Sequence, residues 1–224
     1  MGDRAAKEAL FDAFARVAKA LGSGRRAEIV DLLAQGPRSV DEIAFEIDQS
    51  VANTSHHLHA LARGGVVHST KDGTRVIYRL AGPAVLALWR GLREVAAEHV
   101  GEVDKLARAY MGDLGGLEPV PRAELARRLK RGDIVVLDVR PSQEFETGHI
   151  AGARSVPLAE LGRRLREIPK SRQVVAYCRG RYCVFADEAV RALRRRGYKA
   201  HRLEDGFPEW RDAGLPVAAG ESAT

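Results

Sequence analysis

Cys178 and Cys183 are the two thiols of this 224-residue chain, and they stand five residues apart. They belong to the run Gln173-Val174-Val175-Ala176-Tyr177-Cys178-Arg179-Gly180-Arg181-Tyr182-Cys183-Val184. Val174 to Tyr177 are apolar and β-favouring, the composition of a strand covered on both faces. After the loop, Val184-Phe185-Ala186 opens a helical pattern. A loop between a strand and a helix start turns backbone N–H groups inward, and the helix dipole adds positive character. Such surroundings favour thiolate over thiol, so Cys178 is expected to lose its proton easily. Arg179 and Arg181 add two positive charges that attract anions. Strand, thiol, cationic loop and helix follow one another in the order nucleophilic sulfur chemistry needs. The alternative is a core cysteine beside two surface arginines.

Further motifs flank this loop. Upstream lie Leu137-Asp138-Val139-Arg140 and Glu144-Phe145-Glu146-Thr147-Gly148-His149-Ile150-Ala151-Gly152-Ala153. Downstream lies Gly206-Phe207-Pro208-Glu209-Trp210. Together they resemble a rhodanese domain running from about Leu117 to Val217. The resemblance implies that Cys178 takes sulfane sulfur from a donor such as thiosulfate and passes it on from a persulfide. It implies a substrate cradle of Arg179, Gly180, Arg181, Tyr182 and Cys183, braced by Asp138 and Arg140. His149 is expected to be structural. Phosphatase relatives carry one loop residue more, so this loop's length favours sulfur over phosphate. Cys183 departs from the commonest rhodanese loops, which end in Arg or Thr. It is either a helix-start residue packed under the loop or a resolving thiol that attacks a Cys178 persulfide.

Length allows two domains of about 100 residues, each able to bury a core. No apolar run approaches the ~20 residues of a membrane span, and no signal-peptide pattern opens the chain. With two neighbouring cysteines there is no disulfide framework, which makes the cytoplasm the expected compartment and excludes a membrane partner from the expectation. The net charge of +6 is uneven, with 15 basic and 14 acidic residues to Met111 and 21 and 16 beyond it. The basic excess in the first half is therefore too small to argue for nucleic acid; only a motif can.

That motif is present. Leu10, Phe14, Val17 and Leu21 recur at helical spacing over Asp3 to Ala20, and a second helix is expected over Gly24 to Ala34. Ser39-Val40-Asp41-Glu42 reads as a capping box opening a short helix through Ile47. Gln49-Ser50 is a turn, and Ser50 caps a helix from Val51 to Arg63, which completes a helix-turn-helix. Two β-rich runs, Val66 to Thr70 and Arg75 to Leu80, flank Asp72-Gly73 as a hairpin. A long helix is expected from Pro83 to Met111, whose apolar stripe exceeds what so small a domain can cover; pairing with a second copy is the expected use. Gly112 to Gly116 reads as a linker.

This order of elements resembles the ArsR family of winged-helix repressors over about residues 7 to 110. The resemblance implies a homodimer on a double-stranded, roughly palindromic DNA operator, released by an inducer. The expected fold is two domains: a mainly α winged helix-turn-helix over residues 1–111 and an α/β rhodanese-like parallel sheet over 119–224, joined by 112–118. Asn53, Ser55 and His56 are expected at base edges, with Thr54 and His59 beside them. Lys71 and Arg75 of the wing are expected at phosphates. The absence of any thiol before Cys178 excludes thiolate metal sensing in the first domain. His99 with Glu102, at i and i+3 of the long helix, is a weak zinc candidate; no cofactor and no resident metal are expected.

Three functions compete at this point. One is a repressor whose second domain senses or transfers sulfane sulfur, delivered by thiosulfate, polysulfide or a low-molecular-weight persulfide. Another is a working thiosulfate sulfurtransferase that uses the winged helix for dimerisation. The third is a repressor responsive to arsenic or another oxyanion. Both repressor functions require operator affinity to fall with log salt at a slope of about −0.9 per phosphate contacted. A titration at several salt concentrations checks this, and salt-insensitive binding would remove the winged-helix assignment.

Overall fold

The computed structural model describes residues 2–112 and 117–220. The chain divides into two compact units, Met1–Val100 and Gly101–Thr224. Of the expected linker, residues 113–116 lie outside the described residues.

In the first unit, α1 (Arg4–Leu21) starts where the Asp3 side chain accepts from the Ala5 N–H. After α2 (Gly24–Leu33) comes the short β1 (Arg38–Ser39), then α3 (Val40–Glu46). The Ser39–Glu42 capping box is present, with Glu42 accepting from the Ser39 N–H at 2.8 Å. Ser50 accepts from the Asn53 N–H and so fixes the start of α4 (Val51–Arg63). Strands β2 (Val67–Asp72) and β3 (Arg75–Leu80) form the wing, with β1 added antiparallel to β3. Ile29, Val30, Leu33, Ile43, Leu58 and Leu61 are buried at the centre, so both helices of the helix-turn-helix are held by one core.

The long helix expected from Pro83 to Met111 is two helices, α5 (Pro83–His99) and α6 (Val103–Met111). Val100 turns extended at φ −102°, ψ 96°. A β-branched residue followed by Gly101 places two weak helix formers side by side, and helix propensity fails there. His99 and Glu102 consequently share no helical face. His99 lies 3.8 Å from Glu98 instead, and the zinc candidate is withdrawn.

The second unit is built on a five-stranded parallel sheet. Its strands are β4 (Pro119–Val120), β5 (Ile134–Asp138), β7 (Arg154–Ser155), β8 (Gln173–Tyr177) and β9 (Ala200–Leu203), in the order β4-β9-β8-β5-β7. Between them run α7 (Arg122–Arg131), α8 (Ser142–Thr147), α9 (Leu161–Arg164) and α10 (Phe185–Arg195). After β9 come α11 (Phe207–Asp212) and β10 (Val217–Ala218), which pairs with β6 (His149–Ile150). Val135, Leu137, Val174 and Ala176 face one core, while Val136, Val175 and Tyr177 face the other. This alternation explains the unbroken apolar runs in sequence. No helix of the described residues is long and apolar enough to cross a membrane.

At the ends of β5 and β8 the register sets Asp138 opposite Tyr177. Both are fully buried, and the Tyr177 hydroxyl donates to Asp138 at 2.5 Å. Arg140, equally buried, donates to the same carboxylate from Nη2 at 2.6 Å and Nε at 3.0 Å, and to the Gly148 carbonyl at 2.8 Å. Breaking such a pair from one side leaves a charge in the core. Arg140→Met is therefore expected to destabilise the second unit by about 3–5 kcal/mol in urea denaturation. Arg4→Met, at the exposed Arg4–Glu8 pair, serves as the near-neutral control.

Candidate sulfur loop and nucleic-acid face

Cys178 follows β8 directly, and the chain curls back before α10, with the Cys183 N–H donating to the Gly180 carbonyl at 3.1 Å. Two neighbours clamp this curl. On one side Arg179 donates to the buried carboxylate of Glu144 from Nη2 at 2.6 Å and Nε at 2.9 Å. On the other, the Phe207 N–H donates to the Cys178 carbonyl at 3.1 Å. Gly206 lies so close that a Cβ there would stand 2.4 Å from the Arg179 carbonyl carbon and the Gly180 nitrogen. Only glycine fits that approach.

Within the curl the Cys178 thiol is buried and donates to the Cys183 carbonyl at 3.3 Å. Backbone N–H groups of Gly180 and Ala186 face the Cys178 sulfur, and those of Arg179 and Phe185 face the Cys183 sulfur. The inward amides expected from sequence are thus present, yet they do not make Cys178 an easily ionised thiol. Burial pushes Cys178 well above the ordinary thiol range, and its hydrogen bond with Cys183 adds to this. Cys183 moves the other way, chiefly because the Cys178 thiol hydrogen-bonds to it. The expectation failed because sequence shows the amides and the cations but not the depth at which the sulfur sits.

The cradle residues do not act alike. Arg179 is engaged by Glu144 and stacks 5.4 Å from the Phe185 ring, so its charge braces the loop rather than standing open to an anion. Arg181 is exposed, 5.9 Å from the half-buried Tyr182 ring. Arg181 and Tyr182 also border a cleft of about 540 Å³ with Leu117, Arg202 and Asp205. Gly180 is buried beneath the loop. Asp138 and Arg140 stand behind it, linked through Glu144, whose carboxylate lies 4.0 Å from Arg140 Nε. His149 hydrogen-bonds the Phe145 carbonyl at 2.8 Å and stacks on that ring at 3.5 Å. Among the described residues no cluster of three or more His, Cys, Asp or Glu is placed to hold a metal.

On α4, Asn53, His56 and His59 are exposed and Ser55 is half-buried. Asn53 donates to the Gln49 side chain at 2.6 Å, which orients its amide. Thr54 does not belong to this face. It is fully buried in the row of Leu58 and Leu61, with no partner for Oγ1 among the described residues, because one step along a helix turns a side chain by ~100°. Lys71 and Arg75 are both exposed at the wing, but on opposite faces, since Lys71 pairs with Val76 and Arg75 with Asp72. Sequence reading missed Arg63, one turn beyond His59 on the open side of α4, and Arg79, which shares the Arg75 face. Period alone would have found both.

Comparison with known proteins divides the chain the same way. Residues 23–69 match the model of the bacterial regulatory proteins of the arsR family, and residues 121–213 match the rhodanese-like domain. An HTH-type transcriptional regulator of Mycobacterium tuberculosis, Rv0324, is 46% identical over 214 residues, covering 96% of this chain and 94% of the relative. The chain belongs to the arsR-family HTH-type transcriptional regulators that carry a rhodanese-like domain. Two solved structures correspond to its parts. One is the homodimeric winged helix-turn-helix DNA-binding domain of Mb0332 from Mycobacterium bovis, 46% identical, covering 45% of this chain and 91% of that one, with a TM-score of 0.42. The other is a rhodanese-related protein from Thermoplasma volcanium, 26% identical, covering 45% and 97%, with a TM-score of 0.41.

This arsR-family regulator therefore carries its two thiols in the rhodanese-like domain, in unlike states. At neutral pH, iodoacetamide is expected to modify Cys183 before Cys178. A raised pKa leaves less Cys178 thiolate than in a free thiol, so its alkylation should climb only above the ordinary midpoint of about 8.5. Peptide mapping across pH checks both, and a Cys178 rate that levels off below that midpoint would contradict the burial account.

Proposed function

We propose that this arsR-family regulator is a cytoplasmic homodimer that binds a double-stranded operator and that its rhodanese-like domain is the sensor, receiving sulfane sulfur on Cys178. One observation carries the sensing part: both thiols of the chain lie in a single amide-lined loop. The DNA-reading unit has no thiol. For DNA, support comes from Asn53, Ser55, His56 and His59 on α4, with Lys71 and Arg75 on the wing. Dimer formation accounts for Leu10, Phe11 and Phe14 of α1 and Leu88, Leu92 and Val95 of α5, each more than two-fifths exposed. The Mycobacterium bovis relative is described as homodimeric.

The chemistry is a displacement at sulfur. The Cys178 proton passes to the Cys183 thiolate of the same loop. The Cys178 thiolate then attacks the outer sulfur of a donor such as thiosulfate, polysulfide or a small persulfide. One S–S bond forms and one breaks, and sulfite, a shorter polysulfide or a thiolate leaves with the electron pair. Amides facing the loop interior stabilise the anion that arrives and the persulfide that remains. A nucleophile raised by burial, beside an arginine already engaged, suits infrequent modification better than rapid turnover. This favours sensing over a sulfurtransferase role.

Operator titrations of the full chain, with and without inorganic polysulfide, test the proposal. Wild type should shift its affinity about tenfold or more, a coupling of about 1.4 kcal/mol. Cys178→Ser should bind the operator and ignore polysulfide. A serine variant that responds like wild type would uncouple the rhodanese-like domain from DNA and overturn the sensing assignment.

A further inference from the structure

The Proposed function needs one sulfur; the loop holds two. We infer that Cys183 is a second reacting thiol, which converts a Cys178 persulfide into a Cys178–Cys183 disulfide and releases hydrosulfide. The inference rests on the sulfane-sulfur reading of Cys178, and it assigns the loop a further activity, intramolecular reduction of the sulfur it has received.

Geometry supports this. The Cys178 sulfur lies 3.3 Å from the Cys183 carbonyl oxygen. A carbonyl oxygen sits about 2.4 Å from its own Cα, so the sulfur is within about 6 Å of the Cys183 Cα. A cysteine side chain spans about half that distance, and a disulfide needs Cα atoms no more than ~7 Å apart. Both thiols are free, and the half-buried Cys183 packs against the core cluster that contains Cys178. Each sulfur also has its own pair of facing amides, Gly180 and Ala186 for Cys178, Arg179 and Phe185 for Cys183. Those amides stabilise a charge on Cys183, which is the state that attacks.

The step balances without an outside reagent. The Cys183 proton passes to the terminal sulfur of the Cys178 persulfide. The Cys183 sulfur attacks Cys178 Sγ, a bond forms between the two cysteines, and the bond to the terminal sulfur breaks. The terminal sulfur leaves as hydrosulfide with the electron pair. It is reduced from the sulfane to the sulfide level, and the two cysteine sulfurs are oxidised to a disulfide.

Thiosulfate separates this inference from the reading beneath it. Loading of Cys178 releases sulfite, whereas closure of the disulfide releases sulfide. Full-length reduced protein is treated with thiosulfate, both products are counted, and the chain is weighed intact under non-reducing conditions. The expected result is one sulfide for each sulfite, with a chain lighter by two hydrogens. In Cys183→Ser the sulfide-to-sulfite ratio should fall about tenfold or more, and the loaded chain should keep the added sulfur. Wild type that releases sulfite and keeps the sulfur, with no sulfide, overturns the inference and leaves the sulfur-receiving reading intact. Wild type that releases neither product overturns both.

Discussion

The rhodanese-like unit depends on a carboxylate held in its core without solvent. Asp138 is fully buried at the end of a central strand. Arg140 and the Tyr177 hydroxyl both donate to it. Asp138 ends β5 and Tyr177 ends β8, so the hydroxyl–carboxylate bond ties the two strands where both give way to loops, and Arg140, just beyond β5, closes the cluster. From Arg140 the charge pattern continues through Glu144 to Arg179. Two acids and two bases alternate along this path, which leaves no net charge to desolvate. An isolated buried charge would cost several kcal/mol. Alternation makes the brace tolerable, and it extends from the sheet into the sulfur loop.

One consequence concerns Arg179. Charge alone would make it a ligand for an anionic donor. Glu144 instead uses it as a strut, so the loop's shape is stabilised at the expense of its positive field. Attraction of donors falls to Arg181 and to the backbone amides, which carry only partial charges. Burial of Cys178 acts in the same direction, since it favours the protonated thiol. Under the proposed function both features would slow the first sulfur transfer. A turnover enzyme is harmed by these properties; a switch that must distinguish a sustained signal from a fluctuation is not.

Local physics made most of the fold legible in sequence. The Ser39–Glu42 box, the Ser50 cap and the Asp72-Gly73 hairpin are decided by residues within a few positions of one another, and all three are found where expected. Apolar runs at 134–137 and 174–177 require two covered faces, which made the central strands equally plain. What escaped depends on distance in sequence. The Arg179–Glu144 clamp joins residues 35 apart. The approach of Gly206 to Gly180 is invisible until the sheet brings β8 and β9 together. Thr54 is a different failure, because its neighbours Asn53 and Ser55 were weighed by chemistry when helical phase should have decided. The break at Val100-Gly101 was local and still passed over, since a continuous apolar stripe was given more weight than two poor helix formers.

A sulfur atom added at Cys178 enters a loop with little slack. The backbone of Gly206 closes one side to within the thickness of a methyl group, and the Glu144–Arg179 pair closes the other. Behind the thiol lies the packed sheet core, where volume changes of a single methylene are already felt. The side left is the exposed end at Arg181 and Tyr182. Extra volume must therefore push outward through that end or pull Cys183 inward to form a bond. Either way the start of α10 and the loop's outer rim change together. A ligand shifts an equilibrium only by the difference in free energy it makes between two states. Tight clamping on three sides is what would turn one added sulfur atom into such a difference under the proposed sensing role, where a looser loop would absorb it.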